Sequence, residues 1–166
     1  MASRTTRKPD AEADAVAILA LLRRRSQPDA VEMLLVKQYR PPVDSFTIEL
    51  PAGLIDPGES AEAAALRELR EETGFVGTAS SKSGLLAMSP GLCDESIKLV
   101  VAEVDLDAPV NRAPEQSLED GEHIHVVRVP VKELLPALRA MESEGMIPFT
   151  GLYTLALGLQ LSTTIS

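Results

Sequence analysis

Apolar and polar positions change period several times along this chain, and each change marks an element. Val16 to Leu22 is an unbroken apolar run, and Glu32 to Gln38 is apolar-rich. Both read as strands, separated by the turn residues of Arg23 to Asp29. Pro41-Pro42 ends the second strand. Phe46-Thr47-Ile48-Glu49-Leu50 alternates strictly, as a half-buried strand does, and Pro51-Ala52-Gly53 breaks it. Ala61 to Thr73 is rich in strong helix formers. Gly84 to Met88 and Ser96 to Val104 read as strands joined through the turn Ser89-Pro90-Gly91, and His123 to Val129 alternates as another. Val131 to Ser143 carries Leu134, Leu135 and Leu138 on one helical side, and Thr150 to Leu161 reads as a second apolar helix.

Strands flanked by helices imply an α/β fold with a mixed sheet between helical layers. Residues 1–14 are polar and are expected to form a flexible N-terminal segment ahead of one domain over residues 15–166. Asp105 to Gly121 is a long loop rich in Pro, Asn and acids; loops of that length in a compact domain are often functional.

The stretch between the third strand and the first helix carries the chemistry. Asp56-Pro57-Gly58 is a turn signal, because proline presets φ and glycine tolerates positive φ. Ser60 is placed as an N-cap, with Glu59 and Glu62 near the positive end of the helix dipole. Gly74 sits where a left-handed C-cap residue belongs. On the helix itself Leu66, Leu69 and Thr73 share one side. Glu68, Glu71 and Glu72 fall on another, within an arc of roughly 100°. Like charges at these spacings destabilise an isolated helix by about 0.2–0.5 kcal/mol per pair. Such a cluster suits a hard divalent cation, which takes oxygen ligands from one or two carboxylates and from substrate phosphates.

An acidic helix face is by default a solvated one, and composition alone gives no reason to prefer the cation. The spacing does. Gly53, Glu59, Arg67, Glu68, Glu71, Glu72 and Gly74 stand in the order G-x5-E-x7-R-E-U-x-E-E-x-G-U, with Leu69 and Phe75 at the apolar positions U. At ordinary residue frequencies such a coincidence arises at a given start with odds on the order of one in a billion. This pattern is the Nudix box, and the chain resembles the Nudix hydrolases.

The likeness extends beyond the box. Val36-Lys37-Gln38-Tyr39-Arg40-Pro41-Pro42, Ile48 to Ile55, and Met88-Ser89-Pro90-Gly91-Leu92 are similar to the eukaryotic ADP-ribose/ADP-sugar pyrophosphatase branch. The resemblance implies a Nudix-type α/β/α sandwich. It also implies hydrolysis of the diphosphate of ADP-ribose or a related ADP-sugar to AMP and ribose 5-phosphate, with Mg²⁺ or Mn²⁺ as cofactor. By position, the Ala52 carbonyl, Glu68, Glu72 and Glu122 would bind metal. Glu71 is a further carboxylate near it, and Glu122 would orient or deprotonate water. Arg40, the Leu54 backbone and Ser89 would contact substrate, and Arg4 would reach a partner subunit's site in a homodimer. Gly53, Glu59, Arg67 and Gly74 would support the loop and helix.

Two departures bear on the substrate. The sequence has no tryptophan, whereas eukaryotic members stack adenine on tryptophans of an N-terminal lobe that is expected to be missing. Ser89 stands where the branch has a substrate-contacting aspartate. Two alternatives therefore stay open: a Nudix hydrolase of another nucleoside diphosphate derivative, and a non-catalytic module that binds a nucleotide or a protein partner.

Composition and charge narrow the setting. With 45% hydrophobic and 25% charged residues the chain is an ordinary globular protein. A net charge of −9 argues against a general nucleic-acid or acidic-membrane surface. It is compatible with a small phosphate-bearing substrate, because bound cations reverse the local field. A single cysteine, Cys93, excludes an intrachain disulfide. No apolar run is long enough to span a bilayer. The expectation is an intracellular protein, cytoplasmic or nuclear.

Overall fold

The computed structural model describes residues 12–165. Among these residues, nine strands and three α-helices follow one another as β1 (Ala15–Arg24), β2 (Gln27–Arg40), β3 (Ser45–Glu49), β4 (Ala52–Leu54), α1 (Ala61–Thr73), β5 (Thr78–Lys82), β6 (Leu86–Ala87), β7 (Ser96–Asp105), β8 (His125–Pro130), α2 (Leu134–Ser143), β9 (Ile147–Pro148) and α3 (Thr150–Ile165).

The sheet runs β5-β7-β1-β2-β3-β9, with β4 on β1, β6 on β7 and β8 on β2. It is mixed: β1 is parallel to β7 and antiparallel to β2 and β4. The apolar run of β1 explains its central place, since both of its faces are covered. Val16, Ile18, Ala20 and Leu22 point to one core, which α1 closes with Ala61, Ala64, Ala65 and Leu69. Ala17, Leu19 and Leu21 point to the other, which α2 and α3 close with Leu134, Leu135, Leu138, Leu152 and Ala156. This is the expected α/β/α sandwich.

Several boundaries differ from the sequence reading. The turn after β1 is only Arg25-Ser26, so the strands on either side are longer than expected. Gly84 to Met88 yields just the two-residue β6, and an unexpected β5 over Thr78–Lys82 pairs with β7 instead. Polar Thr, Ser and Lys dominate β5, and four of its five residues are exposed, as suits an edge strand. Residues 1–11 of the expected flexible segment lie outside the described residues. Ala13 and Asp14, its last two, are buried. Asp14 Oδ2 accepts from the Ser96 amide at 2.8 Å and from the Ser96 hydroxyl at 2.6 Å. The Asp14 carbonyl accepts the Ile55 amide at 3.3 Å, so this junction fixes where the chain leaves β4. Among the described residues, no helix is long and apolar enough to cross a membrane.

Candidate active site

The site is built where α1 passes beneath β4. The local sequence sets α1 as expected. Ser60 Oγ accepts the Ala63 amide at 3.2 Å, and Gly74, at φ 75°, donates its N–H to the Arg70 carbonyl at 2.8 Å. The carboxylates do not share one face. Glu72 continues the buried row of Ala61, Ala65 and Leu69 and is 4% exposed, while Glu71 lies toward solvent.

Arg67 organises the other acids. Its Nε donates to Glu59 Oε1 at 3.1 Å and its Nη2 to Glu59 Oε2 at 3.0 Å, a two-pronged grip. Nη2 also donates to the Leu54 carbonyl at 3.0 Å. Nη1 donates to Glu68 at 2.8 Å and to Glu71 at 3.0 Å. Glu59 in turn accepts the Asp56 amide at 3.2 Å. One guanidinium thus ties the loop, the strand β4 and two carboxylates of α1 together. These partners hold the Arg67 pKa above its ordinary value, the Glu59 bonds foremost.

Glu72 is held from above, accepting the Ala52 amide on Oε2 at 3.1 Å. Burial pushes its carboxyl up to about 8; the Ala52 bond opposes this, and the charges of Glu68 and Glu122 add to it. Burial likewise raises Glu68, against the pull of Arg67. Gly53 completes the arrangement, because a Cβ there would overlap the Glu68 carboxylate. Only glycine lets that carboxylate lie against the strand.

Ala52, Gly53, Leu54, Arg67, Glu68, Glu71, Glu119 and Glu122 line one pocket of about 270 Å³. The loop bearing Glu122 is pinned to α1 rather than solvated along its length. Ser117 donates its amide to the Glu71 carbonyl at 2.9 Å. Gly74 lies so close to the Pro114-Glu115 backbone that a Cβ would collide with it. The Asn111 side chain, buried, pairs with both backbone groups of Val76 at 2.8 and 2.9 Å. Glu122 closes its own turn, accepting the Glu119 amide at 2.9 Å, with Gly121 at φ 90°. Asn111 and Gln116 escaped the sequence reading, since polar residues in a polar loop carry no periodic signal.

Arg40 lies on the other side of β4. Nε and Nη2 donate to the two oxygens of Glu49 at 2.9 and 2.8 Å. Burial pushes Glu49 up, but Arg40 and the Thr47 hydroxyl hold it below the usual carboxylate range on balance. Both residues line a cleft of about 390 Å³ that also touches Ala52, Gly53 and Leu54. Met88 lines that cleft, whereas Ser89 is exposed and its carbonyl closes the following turn onto Leu92 and Cys93, each at 2.9 Å. Arg4 lies outside the described residues.

The donor set fits a divalent cation. Glu68, Glu71, Glu119 and Glu122 converge with the backbone of Ala52 on one pocket whose lining cation is Arg67, while Glu72, buried and bonded to the Ala52 amide, does not line it. Among the described residues no three acidic, histidine or cysteine side chains already stand in a closed cage. Glu68 and Glu71 turn to Arg67, Glu72 to Ala52 and Glu122 to its own turn.

Comparison with known proteins agrees with this geometry. A NUDIX domain model matches residues 12–150. The chain is 44% identical over 159 residues to an uncharacterised Nudix hydrolase of Schizosaccharomyces pombe, covering 96% of this chain and 76% of that one. It is 42% identical over 145 residues to the ADP-ribose pyrophosphatase of Saccharomyces cerevisiae, covering 87% and 62%. It is also 42% identical over 140 residues to the ADP-sugar pyrophosphatase of Mus musculus, covering 84% and 63%. A crystal structure of an ADP compounds hydrolase superposes with a TM-score of 0.57 at 24% identity, covering 90% of this chain and 74% of that one; that likeness speaks to the fold alone. With Gly53, Arg67, Glu68 and Glu71 of the box lining one pocket and the family model spanning most of the sequence, the chain belongs to the Nudix family of hydrolases.

Proposed function

We propose that this protein hydrolyses the diphosphate bond of ADP-ribose and related ADP-sugars, using Mg²⁺ or Mn²⁺, to AMP and ribose 5-phosphate. The observation that carries the reading is the placement of β4 between two spaces. An acidic pocket with Glu68, Glu71 and Glu122 lies on one side, and a cleft with Arg40 on the other. A diphosphate lying along β4 would meet carboxylate-held cations at one end and a guanidinium at the other.

In this reading Glu68, Glu72, Glu122 and the Ala52 carbonyl hold the metal, and Glu71 supports them. The bound cation would neutralise diphosphate oxygens and make water a better nucleophile. Glu122 takes the proton as the water oxygen bonds to one phosphorus; the bridging P–O bond breaks and the leaving phosphate keeps its electron pair. Glu122 suits this role because it hangs on a loop tied to α1, not on α1 itself. Arg40, fixed by Glu49, orients the substrate together with the Leu54 backbone. Arg67 is already committed to Glu59, Leu54, Glu68 and Glu71, so its role is support. A homodimer, in which Arg4 reaches the partner's site, belongs to the same reading.

Two observations favour a second reading, in which the preferred substrate is another nucleoside diphosphate derivative: the sequence has no tryptophan, and Ser89 stands in an exposed turn. Ranking ADP-ribose, other nucleoside diphosphate sugars and oxidised nucleoside diphosphates by kcat/KM decides. ADP-ribose first supports the proposal; an oxidised nucleotide first by tenfold or more replaces it.

A further inference from the structure

We propose that Phe149 forms the stacking wall for the nucleobase, in an apolar chamber that extends the substrate cleft away from the acidic pocket. The inference rests on the reading of the acidic pocket as the diphosphate site. The chamber, of about 380 Å³, shares Ala17, Leu50, Met88, Ile97 and Phe149 with the cleft that holds Arg40 and Glu49. The two adjoin along these shared walls, from β4 to the N-terminal end of α3.

Elimination singles out the ring. The chain has three phenylalanines, two tyrosines and no tryptophan. Phe75 is buried in the core under α1. Tyr39 and Phe46 stack edge-to-face on each other, with centroids 5.8 Å apart, and Lys37 lies over Phe46. Tyr153, on α3, is partly buried against the same core as Phe149 but lines neither the cleft nor the chamber. Phe149 alone lines the cleft and the chamber.

Its position is fixed at three points. The Phe149 amide donates to the Ile48 carbonyl at 2.9 Å, and its own carbonyl accepts the Tyr153 amide at 3.0 Å. Gly151 leaves room for the ring, since a Cβ there would come within 2.6 Å of Cε1. A half-buried ring held by its backbone in this way needs little further ordering when a ligand arrives.

The walls select which end of the substrate enters. Leu19, Leu86, Leu99 and Leu155 line the chamber, and Thr150, at the start of α3, is the one hydroxyl-bearing side chain among its walls. Burying a sugar there would leave most of its hydroxyls without hydrogen bonds, which is costly. A nucleobase presents two apolar π faces instead and gains from stacking. The nucleoside 5′-phosphate end therefore occupies the Phe149 side, and the second sugar phosphate lies toward the Glu122 loop.

The test is calorimetric titration of AMP and, separately, ribose 5-phosphate into the wild-type protein, Phe149→Leu and Phe149→Tyr at one fixed Mg²⁺ concentration. Leucine preserves most of the packing without a π face, and tyrosine keeps the ring. AMP affinity is expected to fall roughly 5- to 50-fold in Phe149→Leu and to stay within about twofold in Phe149→Tyr. Ribose 5-phosphate affinity should not change in either. Equal AMP affinity in wild type and Phe149→Leu, or an equal loss in both variants, overturns the inference. ADP-ribose hydrolysis by the wild-type protein, measured alongside, keeps that failure distinct from failure of the functional reading itself.

Discussion

Gln116 donates its side-chain amide to the main-chain carbonyl of Glu72 at 2.5 Å, and the same nitrogen reaches the carbonyl of Ile124 at 3.1 Å. One side chain thereby joins the C-terminal turn of α1, which carries the buried carboxylate of Glu72, to the segment just past Glu122. A helix's last carbonyls lack partners within the helix, and here the partner comes from the loop that carries Glu122 to the acidic pocket. Gln116→Ala leaves two carbonyls short of a donor, at a cost of about 1–3 kcal/mol. The expected result is a fall in kcat of tenfold or more with KM changed less than threefold. Unchanged kcat would mean that the Ser117 and Gly74 contacts suffice to place Glu122.

Gly53→Ala separates site geometry from stability. The added methyl meets the far end of a flexible side chain, the Glu68 carboxylate, and not the backbone. The fold should therefore survive while the carboxylate is displaced. Loss of activity by about a hundredfold, with a melting temperature within a few degrees of wild type, is expected. Retained activity would remove Glu68 from the metal site.

Arg67→Lys tests the hub. Lysine keeps the charge but cannot grip Glu59 with a fork and still reach Leu54, Glu68 and Glu71. A stability loss of about 1–3 kcal/mol in urea unfolding is expected, together with lower kcat/KM. A variant as stable as wild type would show that the ion pairs, partly exposed as they are, contribute little.

Much of this site was legible in the sequence, for identifiable reasons. Ser60 and Gly74 follow from capping rules that act over three or four residues. The α1 core stripe follows from helical period. The carboxylates follow from spacing to Arg67 and Gly53. What depended on distant contacts was not legible. The helical period placed Glu72 among its acidic neighbours, but β4 above it makes it a buried residue bonded to Ala52. The strand expected over Gly84 to Met88 is reduced to Leu86 and Ala87, which pair with Ile97 and Ser96, and the Val100–Glu103 stretch of the same edge pairs with β5, which carries no apolar periodicity. The 105–121 loop read as polar and functional, yet its attachment through Asn111 and Gln116 exists only in three dimensions.

The raised Glu72 pKa makes a prediction about metal-free protein. In the unfolded chain its carboxyl titrates near 4.5, and in the folded state near 8. Between those values the folded state holds the extra proton, so this contribution to stability is full below about 4.5 and is lost as pH rises toward and through 8. Glu72→Gln, which can still accept the Ala52 amide, removes that dependence. In chelator at pH 8.5 the variant should be more stable than wild type, on the order of a few kcal/mol, and the gap should close by pH 5. Thermal melts at both pH values check it; an equal gap at both would show that Glu72 is not the titrating group.

The most direct measurement is incubation of purified wild-type protein and Glu72→Gln with ADP-ribose and Mg²⁺, with and without chelator, followed by separation of products. AMP and ribose 5-phosphate from the wild type only, abolished by chelator, are the predicted result. A folded wild-type protein that yields neither product, or a Glu72→Gln variant that turns over at the wild-type rate, would contradict the assignment of this site as a metal-dependent ADP-ribose hydrolase.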